Sequence, residues 1–562
     1  MRADRVVRST CPYCGVGCQI LLNVKDGRIF RVDAPFDAAP NYGRLCVKGR
    51  FGTDFVHHPS RLRVPLIRRE PPSPGRRTPA HSPADWREAT WDEALDFAAR
   101  GLARIRQQYG ADAITANACA KATNEENYLH MKLMRGVLGT NNVDHCARLC
   151  HAGSVTGLQL AIGSSAMSNS IAEMTGLECF IVTGSNTTET HPVIATFLKQ
   201  AVRQNGATLI VIDPRQTEMT HFATLWLRQK PGTDTALFNA MAHVIVKEGL
   251  YNRDFIARRT EGFSDYIESL EGKTPEWAEA ITGVPAADIR AAARMYARAG
   301  RAAIYWGMGI SQSTHGTDNT LTLTNLALMT GHIGRPGTGL NPLRGQNNVQ
   351  GCSDAGGLPN VLTAYQPVTD PAVRARFEAA WFGADSGRKL PAGPGLTVTE
   401  MVSGILTGAV KGWWVMGENP MMSEPNLRHA QHAIEQLEFF VAQDIFFNET
   451  NVYADVILPA ASFAEKEGTF TNSDRRVQRV RAAVPPPGQA RPDWKIICDL
   501  ATRLEAELGL PTLGWAYSSP ADIWEEMRRL TPPFGGIDYP RLEREGGVHW
   551  PCPTPDHPGT PY

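Results

Sequence analysis

Four cysteines near the amino end occur in "CPYCGVGCQ" and "GRLCVKGRFG": Cys11, Cys14, Cys18 and Cys46, a C-x2-C-x3-C-x27-C spacing. Four thiolates from a tight loop and one distant residue suit either a tetrahedral zinc ion or a [4Fe–4S] cube. Zinc ribbons pair two short C-x2-C knuckles. Here three cysteines within one loop leave three corners of a cube to a single segment, so the spacing favours the cluster. Gly15 and Gly17 are expected to let the loop wrap the cluster with backbone amides aimed at sulfide. A cube carries one electron at a time, which implies a two-electron centre elsewhere. Lys48, two residues past Cys46, is a cation expected beside the cluster.

The second stretch able to do chemistry is "NNVDHCARLCHAGSV", with His145, Cys146, Cys150 and His151. A helix would put Cys146 and Cys150 on one face. Residue types alone leave a metal site, a reactive thiol and plain packing open, since free cysteine is among the most buried residue types. Cys119, Cys179, Cys352, Cys498 and Cys552 read as packing. The 11 cysteines are an odd number and the start, "MRADRVVRSTCPYC", has no apolar h-region, so metal or redox chemistry is favoured over a disulfide framework.

Elements must hold these residues in place. At 562 residues the chain should divide into about three or four domains. "TWDEALDFAARGLARIRQQYG" predicts a helix with Thr90 and Glu93 as a capping box, Leu95, Phe97, Leu102 and Ile105 towards a core, and a stop at Gly110. The preceding "RREPPSPGRRTPAHSPAD" reads as a linker or exposed loop, with a boundary near residue 65. Beyond it, "LECFIVTGSN", "GATLIVIDPR", "RAAIYWGMGIS" and "KGWWVMGENP" are short apolar runs ending in turns, and "HPVIATFLKQAVRQNG" and "TDNTLTLTNLALMTG" are candidate helices between some of them. This is an α/β pattern, with parallel sheets and ligands at the carboxyl ends of the strands. Several such turns favour a large nucleotide-like cofactor. Asp213 could accept a hydrogen bond from its ribose or base. "GMGISQ" lacks the third glycine of an NAD fingerprint. Trp413 and Trp414 read as strand core.

Lys+Arg and Asp+Glu both number 57, so no overall field argues for nucleic acid or an acidic membrane. No run of about 18 apolar residues occurs. The expectation is a soluble, cytoplasmic protein without nucleic-acid partner or membrane insertion.

The cysteine loop, "NNVDHCARLCHAGSV", "VTGSNTTETHPV", "VIDPRQTEMTHFATLWLRQKPGTD", "GHIGRPGTGLNPLRGQNNVQGCSDAGGLPN" and "QDIFFNETNVYADVILPAASFAEKEGTFTNSDRRVQ" together resemble the molybdopterin oxidoreductase superfamily, in order along almost the whole chain. Within it they resemble catalytic subunits of molybdenum- or tungsten-dependent formate dehydrogenases.

The resemblance implies a [4Fe–4S] domain at 1–64 and two Rossmann-like α/β domains. One is discontinuous, 65–145 with 346–480, the other spans 146–345, and 481–562 completes the core. It implies a bis(molybdopterin guanine dinucleotide) holding molybdenum or tungsten, with Cys150 as its protein ligand and His151 beside it. Arg344 then faces substrate, and Lys48 bridges cluster and pterin. In segments lining the pterins of relatives lie Gly184, Asn186, Glu189 and His191, then Asp213, Arg215, Gly232 and Asp234. Gly309, Gly345, Gln346, Gly417 and Asn419 complete that set.

Formate is a small anion that a guanidinium fork can orient, so that its C–H bond faces an oxidised metal centre. His151 is expected to accept the released proton or, neutral, to orient the anion. Electrons then leave singly to the cube and on to an electron-accepting protein partner. Relatives carry a further cofactor-capping domain beyond "GGVHWPCPTPDHPGTPY", so the expectation is that a separate chain supplies it, that the sequence is a fragment, or that the site is more open than usual. Two other readings are an assimilatory nitrate reductase and a non-catalytic electron-transfer subunit that has lost the metal. Cys150, His151 and Arg344 together favour formate.

Overall fold

The computed structural model describes residues 2–72 and 77–562. Two sheets dominate, one mixed and one wholly parallel. The larger has seven strands in the order Trp86–Glu88, Leu66–Arg68, Val456–Pro459, Phe439–Asp444, Gly412–Met416, Ile114–Asn117 and Val143–Asp144. Its last five strands pair in parallel and its first two are antiparallel. Trp413 and Trp414 are fully buried in its centre.

The helix Trp91–Tyr109 covers this sheet because its apolar positions recur at helical spacing. Leu95, Leu102 and Ile105 are fully buried, Phe97 partly so, and Gly110 at φ +93° ends it. Thr90 Oγ1 accepts from the Glu93 N–H at 3.2 Å. The Glu93 carboxylate does not complete a capping box and pairs with Arg87 at 2.7 Å instead. Gly101 lets the helix sit down on the sheet, since a Cβ there would stand 2.1 Å from the Phe439 ring. Gly101→Ala is expected to lower stability by about 1–3 kcal/mol through overpacking, seen as a lower Tm with unchanged cofactor content.

The proline-rich segment does not behave as a linker. Leu66–Arg68 and Trp86–Glu88 flank it as sheet strands. Arg77 is fully buried, donating to Tyr453 O at 2.8 Å and Asp455 at 3.0 Å. A charge so enclosed needs this pairing, and it staples the segment to the sheet. Residues 73–76 of that stretch lie outside the described residues.

The second sheet is wholly parallel: Leu225–Leu227, Thr208–Ile212, Cys179–Thr183, Ala302–Trp306 and Gly339–Pro342. The helices Pro192–Asn205 and Gly316–Thr330 fall where the sequence puts them. A three-stranded antiparallel sheet, Arg5–Thr10, Gln19–Lys25 and Arg28–Asp33, carries the first three cysteines in its opening turn. A fourth sheet, Gly468–Thr471, Arg476–Val480 and Val548–His549, clamps that turn. Asn472 Nδ2 donates to Val16 O at 2.9 Å, and Gln478 Nε2 to Gly17 O at 3.0 Å. Among the described residues no helix is long and apolar enough to cross a membrane.

Candidate active site

Cys11, Cys14 and Cys18 come from one turn, closed by Cys11 N–H donating to Cys18 O at 2.8 Å. Cys46 caps the helix Val47–Phe51, whose Gly49 would carry a Cβ only 3.4 Å from Cys11 Sγ. Burial pushes the Cys11 thiol up to about 12, with Cys14 adding to the shift. Burial and then Cys11, Cys14 and Cys46 raise Cys18 well above its ordinary value. Thiols enclosed side by side ionise only for a cationic centre. The four thiols lie close enough to raise one another's pKa, although among the described residues no group of three or more Cys, His, Asp or Glu is placed to hold a metal ion.

The glycines of this loop act differently from expectation. Gly15 N–H donates to Gly345 O at 3.3 Å and Gly17 N–H to Cys14 O at 3.3 Å, so neither amide is directed at a cluster. Their absent side chains matter more. A Cβ on Gly15 would stand 2.3 Å from Arg344 O, and one on Gly17 2.5 Å from Asn472 Cβ. The loop thus lies directly against residues 344–346, with Cys14 bridged to Gln346.

Cys150 ends a short helix, Ala147–Cys150, and a Cβ on Gly345 would be 3.8 Å from its Sγ. Burial raises the Cys150 pKa, while the Arg344 charge and the Gly345 N–H favour the thiolate. Arg344 is buried; its Nε donates to Gln350 Oε1 at 3.1 Å and its Nη2 to Ser165 O. Its backbone is held by His191 Nε2 on its carbonyl at 2.6 Å and by Ser473 Oγ at 3.1 Å.

His151 is engaged at both ring nitrogens. Its Nε2 contacts Leu343 O at 3.0 Å and its Nδ1 contacts Ser154 Oγ at 3.1 Å. Ser154 Oγ in turn accepts from Trp306 Nε1 at 2.8 Å. The hydroxyl proton therefore points to Nδ1, and Nε2 carries the ring proton. Burial, reinforced by Arg344, holds the His151 pKa well below its ordinary value. A neutral imidazole with both nitrogens engaged can orient the Leu343–Arg344 segment.

Cys146 and His145 belong to the scaffold. Cys146 N–H donates to Glu418 at 3.0 Å and its Sγ accepts from Gln346 Nε2 at 2.9 Å. His145 Nε2 meets Ser353 Oγ at 3.0 Å.

Two cavities flank the cysteine loop, and Tyr13 lines both. One, about 480 Å³, opens at the carboxyl ends of the second sheet between Gly184, Asn186, His191, Gly309, Gly345 and Lys48. Asn186 Oδ1 is buried there without a partner, as a ligand site requires. Lys48 spans from beside Cys46 towards Glu189 O, 3.5 Å away. The other cavity, about 290 Å³, opens at the carboxyl ends of the larger sheet, with Gly417 in its wall.

The remaining sequence-derived candidates lie outside both walls. Glu189 and Arg215 form an exposed pair at 3.9 Å, and Asp213 Oδ1 accepts from the Arg215 N–H at 2.9 Å. Asp234 accepts from Gln229 at 3.0 Å, just past the turn at Gly232. Asn419 donates to Glu449 at 2.7 Å.

Sequence reading missed Lys121 and Lys466, both in the smaller cavity. Lys121 Nζ donates to Pro12 O at 2.8 Å and Tyr13 O at 3.0 Å, next to the cysteine loop. Lys466 is fixed by Glu126 at 2.8 Å and Asp493 at 2.5 Å. A lysine four residues past the strand Ile114–Asn117 was the available signal for Lys121, because such strand ends hold ligands. Lys466 follows an irregular stretch and gave none.

Two largely parallel sheets, each with a cavity at its carboxyl ends beside the cysteine loop, are the arrangement that a large cofactor shared between two sheets and a neighbouring cluster would need. The molybdopterin oxidoreductase family matches residues 61–503, and the molybdopterin oxidoreductase Fe4S4 domain matches residues 4–58. The chain belongs to this family, an enzyme class with a [4Fe–4S] cluster and a molybdopterin cofactor carrying molybdenum or tungsten. Among similar proteins is the F420-dependent formate dehydrogenase 2 subunit alpha of Methanococcus maripaludis, 44% identical over 100% of this chain and 78% of the relative. Formate dehydrogenase H of Escherichia coli is 43% identical over 97% of this chain and 74% of the relative. The solved structure of acetylene hydratase from Pelobacter acetylenicus shares the fold, with a TM-score of 0.77 at 21% identity over 97% of this chain and 74% of that one.

Proposed function

We propose that the chain is the catalytic subunit of a formate dehydrogenase that oxidises formate to carbon dioxide and passes electrons to a protein acceptor. The observation carrying this is the adjacency of Cys150 and Arg344, a thiol and a buried guanidinium on either side of Gly345, directly behind the cysteine loop. The two cavities would hold the two halves of a bis(molybdopterin guanine dinucleotide), with Cys11, Cys14, Cys18 and Cys46 holding the cluster. When bound, the metal supplies the two-electron acceptor and the cluster drains it singly.

The chain's own residues do the rest. Cys150 supplies one soft ligand. Arg344 orients the carboxylate, so that the C–H bond is aimed and not merely near. His151, locked neutral, braces Leu343 and so the Arg344 backbone. Lys48 lies between the cysteine loop and the larger cavity, a cation on the line that electrons would follow.

Anaerobic purification followed by metal analysis and a formate-dependent dye assay tests the reading. Iron together with molybdenum or tungsten, and dye reduction with formate, are expected. Iron without either metal would sink it in favour of a subunit that only relays electrons, and turnover of nitrate without formate would sink it in favour of a nitrate reductase.

A further inference from the structure

Electron transfer falls off steeply with distance, so a protein acceptor has to dock where little chain covers the cysteine loop. Cys46 is half-buried, at the head of the helix Val47–Phe51. Val47 and Phe51 stand four residues apart on one helical face and are each 68% exposed. Arg50 of that helix reaches Val32 O at 3.4 Å and Asp33 at 3.5 Å, at the end of the strand that leads into Phe36. Phe36 is 85% exposed and Tyr42 is 40% exposed. The Phe36 ring lies on Gly43, where a Cβ would stand 2.4 Å from it. Among the described residues, six of the fourteen exposed large apolar side chains fall within residues 4–58. Apolar surface concentrated in so small a part of the chain is the signature of a contact surface.

The loop bearing Phe36 and Tyr42 is stitched to the cysteine turn. Buried Asn41 accepts from the Gln19 N–H at 2.8 Å and donates to Gln19 O at 3.1 Å, one residue past Cys18. Tyr42 takes left-handed backbone at φ +44°, and strain of this kind collects at functional positions. Asp37, next to Phe36, and Gln19 line a cavity of about 200 Å³ together with Arg8, Arg479, Arg481 and Arg544. Its four guanidinium groups face three carboxylates. Glu543 serves both Arg479 and Arg481, and Glu545 serves both Arg541 and Arg544. Arg8 meets Gln19 Oε1 at 3.4 Å and, among the described residues, no carboxylate. The excess of cations is regional. Residues 1–64 hold eleven Lys and Arg against five Asp and Glu, in a chain whose totals are equal.

We infer that this face, from Val47 and Phe51 across Phe36 and Tyr42 to the arginine cavity, docks an acidic electron-transfer protein. This rests on the reading that electrons pass to a protein acceptor. The apolar side chains exclude water at the centre of the contact, close to Cys46. The arginines at the rim meet carboxylates of the acceptor and steer its approach. An apolar face alone would suit a second copy of the chain, and an apolar face with cations would suit an anionic membrane. Its position over the cysteine loop favours the electron carrier.

The probe is an acidic plant-type [2Fe–2S] ferredoxin, titrated calorimetrically into the full-length protein. Its affinity should fall at least about tenfold from about 20 to 200 mM salt, because exposed charge pairs are screened. Phe36→Ser and Arg544→Glu, both at exposed positions, should each weaken it at least about fivefold. In the holoenzyme both variants should raise the KM for ferredoxin by a similar factor, with iron content and formate-dependent dye reduction within about twofold of wild type. Ferredoxin binding that is absent, or indifferent to salt and to both variants, overturns the docking assignment and leaves formate-dependent dye reduction to stand by itself. Self-association in sedimentation, or binding to phosphatidylglycerol vesicles, that is lost in Phe36→Ser gives the face to a second copy or to a membrane and also overturns it. A wild type that binds ferredoxin as expected but does not oxidise formate upholds the docking face and overturns the substrate reading.

Discussion

Cys150→Ser abolishes formate-dependent dye reduction while iron content and the cluster's visible absorption stay at wild-type levels. Serine is nearly isosteric with cysteine. The Ala147–Cys150 turn, the Ser311 Oγ bond to Cys150 O at 2.7 Å and the Gly345 contact should all persist. What changes is the atom proposed above as the metal's ligand. A hydroxyl oxygen is harder and far less acidic than a thiol, and here burial disfavours an alkoxide further, since it already raises the Cys150 thiol. The expected loss is at least about a thousandfold in kcat, on the order of 4 kcal/mol of transition-state stabilisation. Iron is unaffected because Cys11, Cys14, Cys18 and Cys46 belong to other elements. Measuring iron and activity on the same preparation separates the two sites. Full activity in Cys150→Ser would remove Cys150 as the metal's ligand, and a parallel fall in iron would mean that the substitution disturbs the fold.

What the sequence made legible follows the range over which each signal acts. Helix Trp91–Tyr109 and the strand Cys179–Thr183 are set by patterns within a dozen or so neighbouring residues, and both lie where those patterns put them. The cysteine loop is equally local. Arg77 was misread because its segment has linker composition, and only Asp455, far along the chain, explains why it is buried. Gly15 and Gly17 were noticed, yet the reason for them is contact with residues 344 and 472. His151 was singled out as a base or, neutral, as a group orienting the anion, and its bonds to Ser154 and Leu343 could not be foreseen from its neighbours in sequence. Sites assembled across sheets need the fold before their chemistry can be read.

Arg344→Lys should raise the formate KM at least tenfold, about 1.4 kcal/mol of lost binding, with a smaller fall in kcat. The guanidinium is anchored on one side by Gln350 Oε1 and Ser165 O. Those two bonds use the Nε hydrogen and one on Nη2, leaving the outer edge of the fork for a carboxylate, where two parallel hydrogen bonds fix orientation as well as position. Lysine retains the charge but offers a single nitrogen. It cannot reach Gln350, Ser165 and the anion at once, and Gln350 Oε1 is left buried without its donor. Loss of electrostatic attraction alone would be negligible for a cation replaced by a cation, so a raised KM reports geometry. The backbone here is held independently by His191 and Ser473, which keeps the variant folded and the comparison clean. An unchanged KM would mean that formate does not meet Arg344, and the anion would then have to be sought along the cavity between Arg148 and Tyr365.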